Sequence, residues 1–168
     1  MKKYFFLPVI LIIFLLSGCY ASKVSNVTGT LDHKLRIALS PSGGIVAEAI
    51  GIELFNRGFT IIDTQQMQGI LARLNLTEIE ISETSNLKVL KDQGIDAIMF
   101  VKSIAGYDNQ PQSISLRIND TKEWKVIAGI TWQNGGGGQM GSAVDRGMRK
   151  DVTEASQEIV SALLSDGN

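Results

Sequence analysis

Apolar and polar positions alternate most clearly in the C-terminal half of the chain. In Ser113 to Asp120 (SISLRIND), Ile114, Leu116 and Ile118 alternate with Ser113, Ser115, Arg117 and Asn119. Trp124 to Gln133 (WKVIAGITWQ) repeats the pattern. Trp124, Val126, Ala128, Ile130 and Trp132 share one side, and Lys125, Thr131 and Gln133 the other. A period of two marks a half-buried strand. The residues between the two runs read as a hairpin turn. Ile95 to Ser103 (IDAIMFVKS) is apolar on both sides, as a central strand is. Lys34 to Ser40 and Phe59 to Asp63 are shorter apolar runs that also read as strands.

Helical spacing fills the intervals. Ile45 to Asn56 aligns Val46, Ala49, Ile50 and Leu54. A segment from Asp63 or Thr64 to Asn75 aligns Met67, Ile70, Leu71 and Leu74. Ser85 to Gln93 reads as a third helix, with Gly58 and Gly94 as stop signals. Residues 77–84 (TEIEISET) read as a loop or a short edge strand. Residues 143–165 read as one long helix with the stripe Val144, Met148, Val152, Ala155, Ile159, Ala162 and Leu163. The order β-α-β-α-α-β-β-β-α predicts an α/β two-layer sandwich. Its mixed sheet has parallel N-terminal strands and an antiparallel C-terminal meander. Helices lie on one face and include a long C-terminal one. The other face is open and carries Ser113, Ser115, Arg117, Lys125, Thr131 and Gln133, a candidate face for a partner or for a second copy.

The N-terminus adds a different pattern. Lys2 and Lys3 precede an apolar run from Tyr4 to Leu16, broken only by Pro8. That is shorter than the roughly 20 apolar residues needed to span a bilayer, and it has the flanks of a signal peptide. Leu16-Ser17-Gly18-Cys19 then resembles a bacterial lipobox, in which the cysteine is acylated after cleavage before it. The expected divisions are a signal peptide at 1–18, a lipid-anchored tether at 19–33, where no periodicity is visible, and a single domain at 34–168. Cys19 is the lipid-attachment site and the sole cysteine, so no intramolecular disulfide or cysteine-ligated metal is expected. Two or three acyl chains, at about 0.8 kcal/mol per buried methylene, make such an anchor lasting. Tyr20 follows where the class carries aspartate for inner-membrane retention, which implies the outer membrane. Removing Lys2 and Lys3 from the 16 basic residues leaves 14 against 17 acids, a formal charge of −3. This is no footprint for nucleic acid.

Candidate chemistry is sparse. Gly136, Gly138 and Gly141 in GGGGQMGS match the spacing G-x-G-x-x-G. A dinucleotide turn needs a further strand after its helix, and here the helix is the last element. Met140 and Gly141 stand where a phosphate-binding loop requires lysine. No nucleotide or other cofactor is expected, and the run reads as a flexible connector or an oligomer contact. His33, the only histidine, falls in the tether, too isolated to serve a nucleophile. Glu78, Glu80 and Glu83 read as a solvated loop, and Trp124 and Trp132 as core. Arg146, Arg149 and Lys150 oppose the dipole of the last helix, which calls for acidic neighbours.

Three stretches carry a family resemblance: GFTIIDTQQMQGILARLNL, LKDQGIDAIMFVKSIAGYD and ISLRINDTKEWKVIAGITWQ. They resemble the curli-secretion lipoprotein family (CsgG) and its relatives. Those include the polysaccharide-export lipoprotein PelC, the penicillin-binding-protein activator LpoB and the N-terminal domain of TolB. The resemblance covers about residues 35–165. It implies a non-catalytic, ring-forming outer-membrane lipoprotein, facing the periplasm, that helps an envelope secretion machine assemble or export. The alternative it implies is a regulator that binds and activates an envelope enzyme such as a peptidoglycan synthase. A membrane-spanning strand takes about 9–11 residues. Neither 77–83 nor 105–112 holds a hairpin of such strands, so the chain is not expected to form the pore itself.

Overall fold

The computed structural model describes residues 20–165. The expected signal peptide and Cys19 lie outside the described residues. Six strands form one open mixed sheet: β1 (Lys23–Gly29), β2 (Arg36–Leu39), β3 (Thr60–Ile62), β4 (Ala97–Ala105), β5 (Pro111–Asp120) and β6 (Val126–Gln133), in the order β1-β6-β5-β4-β2-β3. β2 pairs in parallel with both β3 and β4. β4, β5, β6 and β1 pair antiparallel in succession. The helices are α1 (Gly44–Asn56), α2 (Thr64–Leu74), α3 (Thr84–Asp92), α4 (Ala143–Met148) and α5 (Val152–Ser165).

The mixed α/β sheet agrees with the sequence pattern, with two refinements. First, helices lie on both faces. α1 and α5 cover one face, packing Ile50, Leu54, Ile159 and Leu163 against Met99, Leu116, Ile130 and Trp132. α2 and α3 pack on the other, with Met67, Ile70, Leu71 and Leu90 against Ala38, Ile62 and Ile98. This follows from the strand order. The chain moves from β2 outward to β3 under α1, then crosses back over β2 to β4. Right-handed crossovers in opposite directions put their helices on opposite faces. Among the described residues, no helix covers that second face beyond β4.

The second refinement concerns β1. Residues 23–29, expected in a tether, pair with β6. Asn26 has a left-handed φ of 54°, and the register shifts between Ser25 and Thr28. This bulge puts Val24 and Val27, three apart in sequence, against the same core. His33 stacks on Phe59 with ring centroids 4.3 Å apart, so it too belongs to the fold.

Three local predictions also change. Of the two readings of 77–84, loop or short edge strand, the strand does not form: residues 79–82 make a 3-10 turn. Trp124 takes a left-handed φ of 56° and meets the edge of Phe100, on the α2–α3 side of the sheet and opposite Trp132. The predicted long C-terminal helix is two helices, interrupted at Arg149 (ψ 136°). A capping box restarts it: Glu154 N–H donates to Asp151 Oδ1 at 2.9 Å, and Asp151 N–H to Glu154 Oε2 at 3.1 Å.

Ile98 and Ser115 share one face of the sheet, but only Ile98 is covered by a helical layer. Ile98→Ala should therefore cost about 2–4 kcal/mol and Ser115→Ala less than about 0.5 kcal/mol in urea unfolding. Equal costs would mean that the second helical layer contributes no packing.

Candidate functional site

The end of the sheet where β4 and β6 finish and β1 and β5 begin holds a cleft of about 400 Å³. Its lining includes Tyr20, Tyr107, Gln112, Met140, Asp145 and Arg149, together with the glycine run. Asn134, the last polar residue before the glycines, is only 1% exposed. Its Nδ2 donates to the carbonyls of Pro111 (2.7 Å) and Lys150 (2.9 Å), and its Oδ1 accepts from Lys150 N–H (2.9 Å). The side chain thus joins the start of β5, the end of β6 and the break between α4 and α5.

The glycine run is buried rather than a flexible connector, with Gly135, Gly136 and Gly137 enclosed. Tyr20 N–H donates to Gly136 O at 2.8 Å, and Gly136 N–H to Tyr20 O at 3.0 Å. This antiparallel bridge holds the first residue after the expected lipid-bearing cysteine. A Cβ on Gly135 would lie 2.9 Å from Tyr20 O, 3.0 Å from Met148 O and 3.0 Å from Ser22 N, all backbone atoms. Position 135 is glycine because three backbone segments converge there, and Gly138 takes a left-handed φ of 67°. A second clasp lies two residues on: Ser22 Oγ donates to Glu158 (2.9 Å to Oε2), which also accepts from Trp132 Nε1 (2.7 Å) and the Lys150 ammonium.

Two further glycine amides face a carboxylate of the protein itself. Gly141 N–H (3.0 Å) and Gly137 N–H (3.4 Å) donate to Asp145, as does the Tyr107 hydroxyl at 2.7 Å. The Gly141 amide and the Tyr107 hydroxyl hold the Asp145 carboxyl below its ordinary range, and the same bond raises the Tyr107 hydroxyl. Arg149 is buried, with Nε 2.7 Å from Asp108 Oδ2 and a further bond to Gln112 (2.7 Å). Desolvation pushes the Asp108 carboxyl up, but the bonds from Arg149 and the Gln110 amide outweigh it and leave it depressed. The balance at Glu158 is similar: burial raises it, and Lys150, Trp132 and Ser22 together hold it low. Arg149 and Lys150 do have acidic neighbours, but not for the reason expected: the helix break leaves both outside the helices, and Arg146 sits in the last turn of α4, where its charge suits the dipole.

The predicted sheet-face residues are mostly together. β6 and β5 pair Gln133 with Ser113 and Thr131 with Ser115, and Arg117 stands opposite Gly129. β4 and β1 extend these rows with Lys102 beside Ser115 and Lys23 beside Gln133. The Arg117 guanidinium lies over the Phe100 ring, 5.1 Å from its centroid. Lys125 is the exception. It sits in the β5–β6 turn, ion-paired with Glu123, because the register shift after Ile118 and the left-handed Trp124 take it off the face. Glu78, read as a solvated loop residue, instead bonds Ser42 Oγ at 2.6 Å and Ser40 Oγ. Asn134, Tyr107, Asp108 and Glu158 carry no local pattern that marks them as site residues. The spacing D-V-T-E at 151–154 is the one local signal that could mark the helix break beside them.

No protein-family model matches this chain, and no curated protein matches it. Among solved structures, the chain is similar to the PelC dodecamer from Paraburkholderia phytofirmans, at 12% identity and a TM-score of 0.49, over 85% of this chain and 97% of that one. It is similar to lipoprotein GNA1162 from Neisseria meningitidis, at 14% identity and a TM-score of 0.47, over 79% and 96%. The LpoB C-terminal domain from Salmonella enterica aligns at 15% identity and a TM-score of 0.43, over 67% and 87%.

Two outcomes follow from the clasps. In Gly135→Val the new side chain cannot avoid backbone, so the arm must leave its groove. Trypsin should then cut after Lys23 much faster than in the parent, and unchanged cleavage would mean the arm is not held there. Glu158 stabilises the fold only while ionised, so its contribution is complete above the ordinary carboxylate range and is lost as the pH falls through its lower folded value. Glu158→Gln should lower the melting temperature at neutral pH and flatten its decline towards about pH 3. An acid slope as steep as the parent's would remove Glu158 from the account.

Proposed function

We propose that this chain is a non-catalytic outer-membrane lipoprotein, held by acyl chains on Cys19 and facing the periplasm. In this reading it serves as a ring-forming accessory subunit of an envelope assembly or export machine. The observation that carries the reading is the uncovered part of the sheet. Three cross-strand rows, Lys23–Gln133–Ser113–Ile104, Ser25–Thr131–Ser115–Lys102 and Thr28–Gly129–Arg117–Phe100, contain three cations and no acid. Such a surface is too polar for a core and suits docking. The lipobox pattern supports the anchor, and the family resemblance in the sequence supports the accessory role. The cleft supports a non-catalytic reading, because Asp145, Asp108 and Arg149 are each bonded to other groups of the protein.

Like charges oppose two such faces meeting directly, so contact between copies is heterologous: the open face of one meets a different surface of the next. The α1–α5 layer lies on the opposite side of the sheet and is available for that role. Anchoring in one plane raises the effective concentration, so weak contacts can close a ring. The positive charge of the face also fits an acidic partner protein, the basis of the second reading, an enzyme activator.

Cys19→Ala should abolish palmitate labelling and release the protein from the membrane fraction, and labelling that persists would end the anchor assignment. With the anchor intact, Ser115→Cys and Thr131→Cys should give crosslinked ladders in whole cells, and Arg117→Glu should weaken them. Gln157→Cys, on exposed α5, reports whether that helix is the opposing surface. Abundant, anchored protein without ladders at any site would replace the ring with the monomeric activator.

A further inference from the structure

Lipid-bearing Cys19 is one peptide unit from Tyr20, about 3.8 Å between Cα atoms. Tyr20 is fixed to Gly136 by two backbone bonds, and Ser22 to Glu158. The anchor therefore leads directly into the fold, with no slack between them. When the acyl chains enter a leaflet, the depth of Tyr20 is set, and with it the depth of everything at that end of the sheet.

That end is unusually apolar at its surface. The strand directions place the C-terminal ends of β2, β4 and β6 and the start of β1 on the same side. The segments emerging there expose Tyr20 (55%), Ile45 (80%), Ile104 (66%), Tyr107 (47%), Met140 (75%) and Val144 (53%). A single exposed apolar side chain means little, but a group gathered around an anchor marks a contact surface. Two of the six are tyrosines, whose rings favour the boundary between headgroups and acyl chains. The acids nearby would not enter lipid uncompensated: Asp145 accepts from the Gly141 amide and Tyr107, Asp108 pairs with Arg149, and Glu78 is held by Ser40 and Ser42.

We propose that this end of the domain is a lipid-contact surface, seated in the headgroup layer of the leaflet that holds the Cys19 acyl chains, with Tyr20, Tyr107, Met140 and Val144 touching lipid. The inference rests on the reading of Cys19 as the acylated residue. The strands then stand upright on the membrane. The face carrying Ser115 and Arg117 looks sideways, towards neighbouring copies or partners in the same plane. The glycine run has its role here, since it admits Tyr20 and so removes the slack from the anchor.

The test uses the full acylated chain in vesicles of phosphatidylethanolamine and phosphatidylglycerol, with and without dibrominated phosphatidylcholine, which quenches tryptophan on contact. Met140→Trp reports on the proposed surface. Phe55→Trp, exposed near the C-terminal end of α1, reports on the far end. Emission of the parent, from Trp124 and Trp132, is subtracted. Met140→Trp should lose most of its added emission in brominated vesicles, and Phe55→Trp should lose almost none. If the chain floats with the vesicles and Met140→Trp is not quenched, the domain stands off the lipid and this inference is wrong while the anchor survives. Quenching of both tryptophans to the same degree would also overturn the upright seat. If the chain does not float with the vesicles at all, the anchor itself is wrong and the seat falls with it.

Discussion

The side-chain amide of Asn134 makes three hydrogen bonds at the point where β5 begins, β6 ends and the C-terminal helices change direction. A buried amide left unpaired costs about 1–3 kcal/mol, so the three segments must arrive together for the core to close. Their convergence leaves no room for a side chain on Gly135. Glycine at 135 is a consequence of this crowding. The space it leaves is filled by the N-terminal arm, whose Tyr20 completes the bridge.

The same corner accounts for the chemistry of the cleft. Gly136, Gly138 and Gly141 have the spacing of a dinucleotide-binding turn, but the Gly136 amide donates to Tyr20 O and the Gly141 amide to Asp145, whose carboxylate also accepts from the Gly137 amide and the Tyr107 hydroxyl. Arg149 is spent on Asp108 and Gln112. Each charge is compensated from within, and the carboxylates are held in their ionised form. The groups form a brace that fixes the β4–β5 hairpin against α4, and the reactivity that the composition alone left open is absorbed by structure.

The sheet is covered unevenly, and this sets which surfaces remain for partners. α2 and α3 reach only β2, β3 and β4. β5, β6 and β1 keep a polar second face with Arg117 lying over Phe100 at its border. The polar side of each alternating strand faces water, so exposure costs little. The loops around Tyr20 differ because apolar side chains are exposed there.

Alternation in SISLRIND, helical spacing around Met67 and Ile70, and the run IDAIMFVKS determined most of the sheet and its antiparallel meander without any coordinates. These are local signals, because a strand or helix must present its apolar side at a fixed period. Four features were outside their reach. β1 was hidden because its bulge at Asn26 breaks the period of two. Lys125 was assigned to the open face because a left-handed Trp124 cannot be read from alternation. The helices were assigned to one face because the side of a crossover depends on strand order. The clasp of Tyr20 by Gly136 joins residues more than a hundred positions apart. The sequence by itself determined which segments bury an apolar side. Only the tertiary structure decided where those segments meet, because backbone hydrogen bonds and buried amides such as Asn134 select partners by position in space, and no spacing along the chain encodes that.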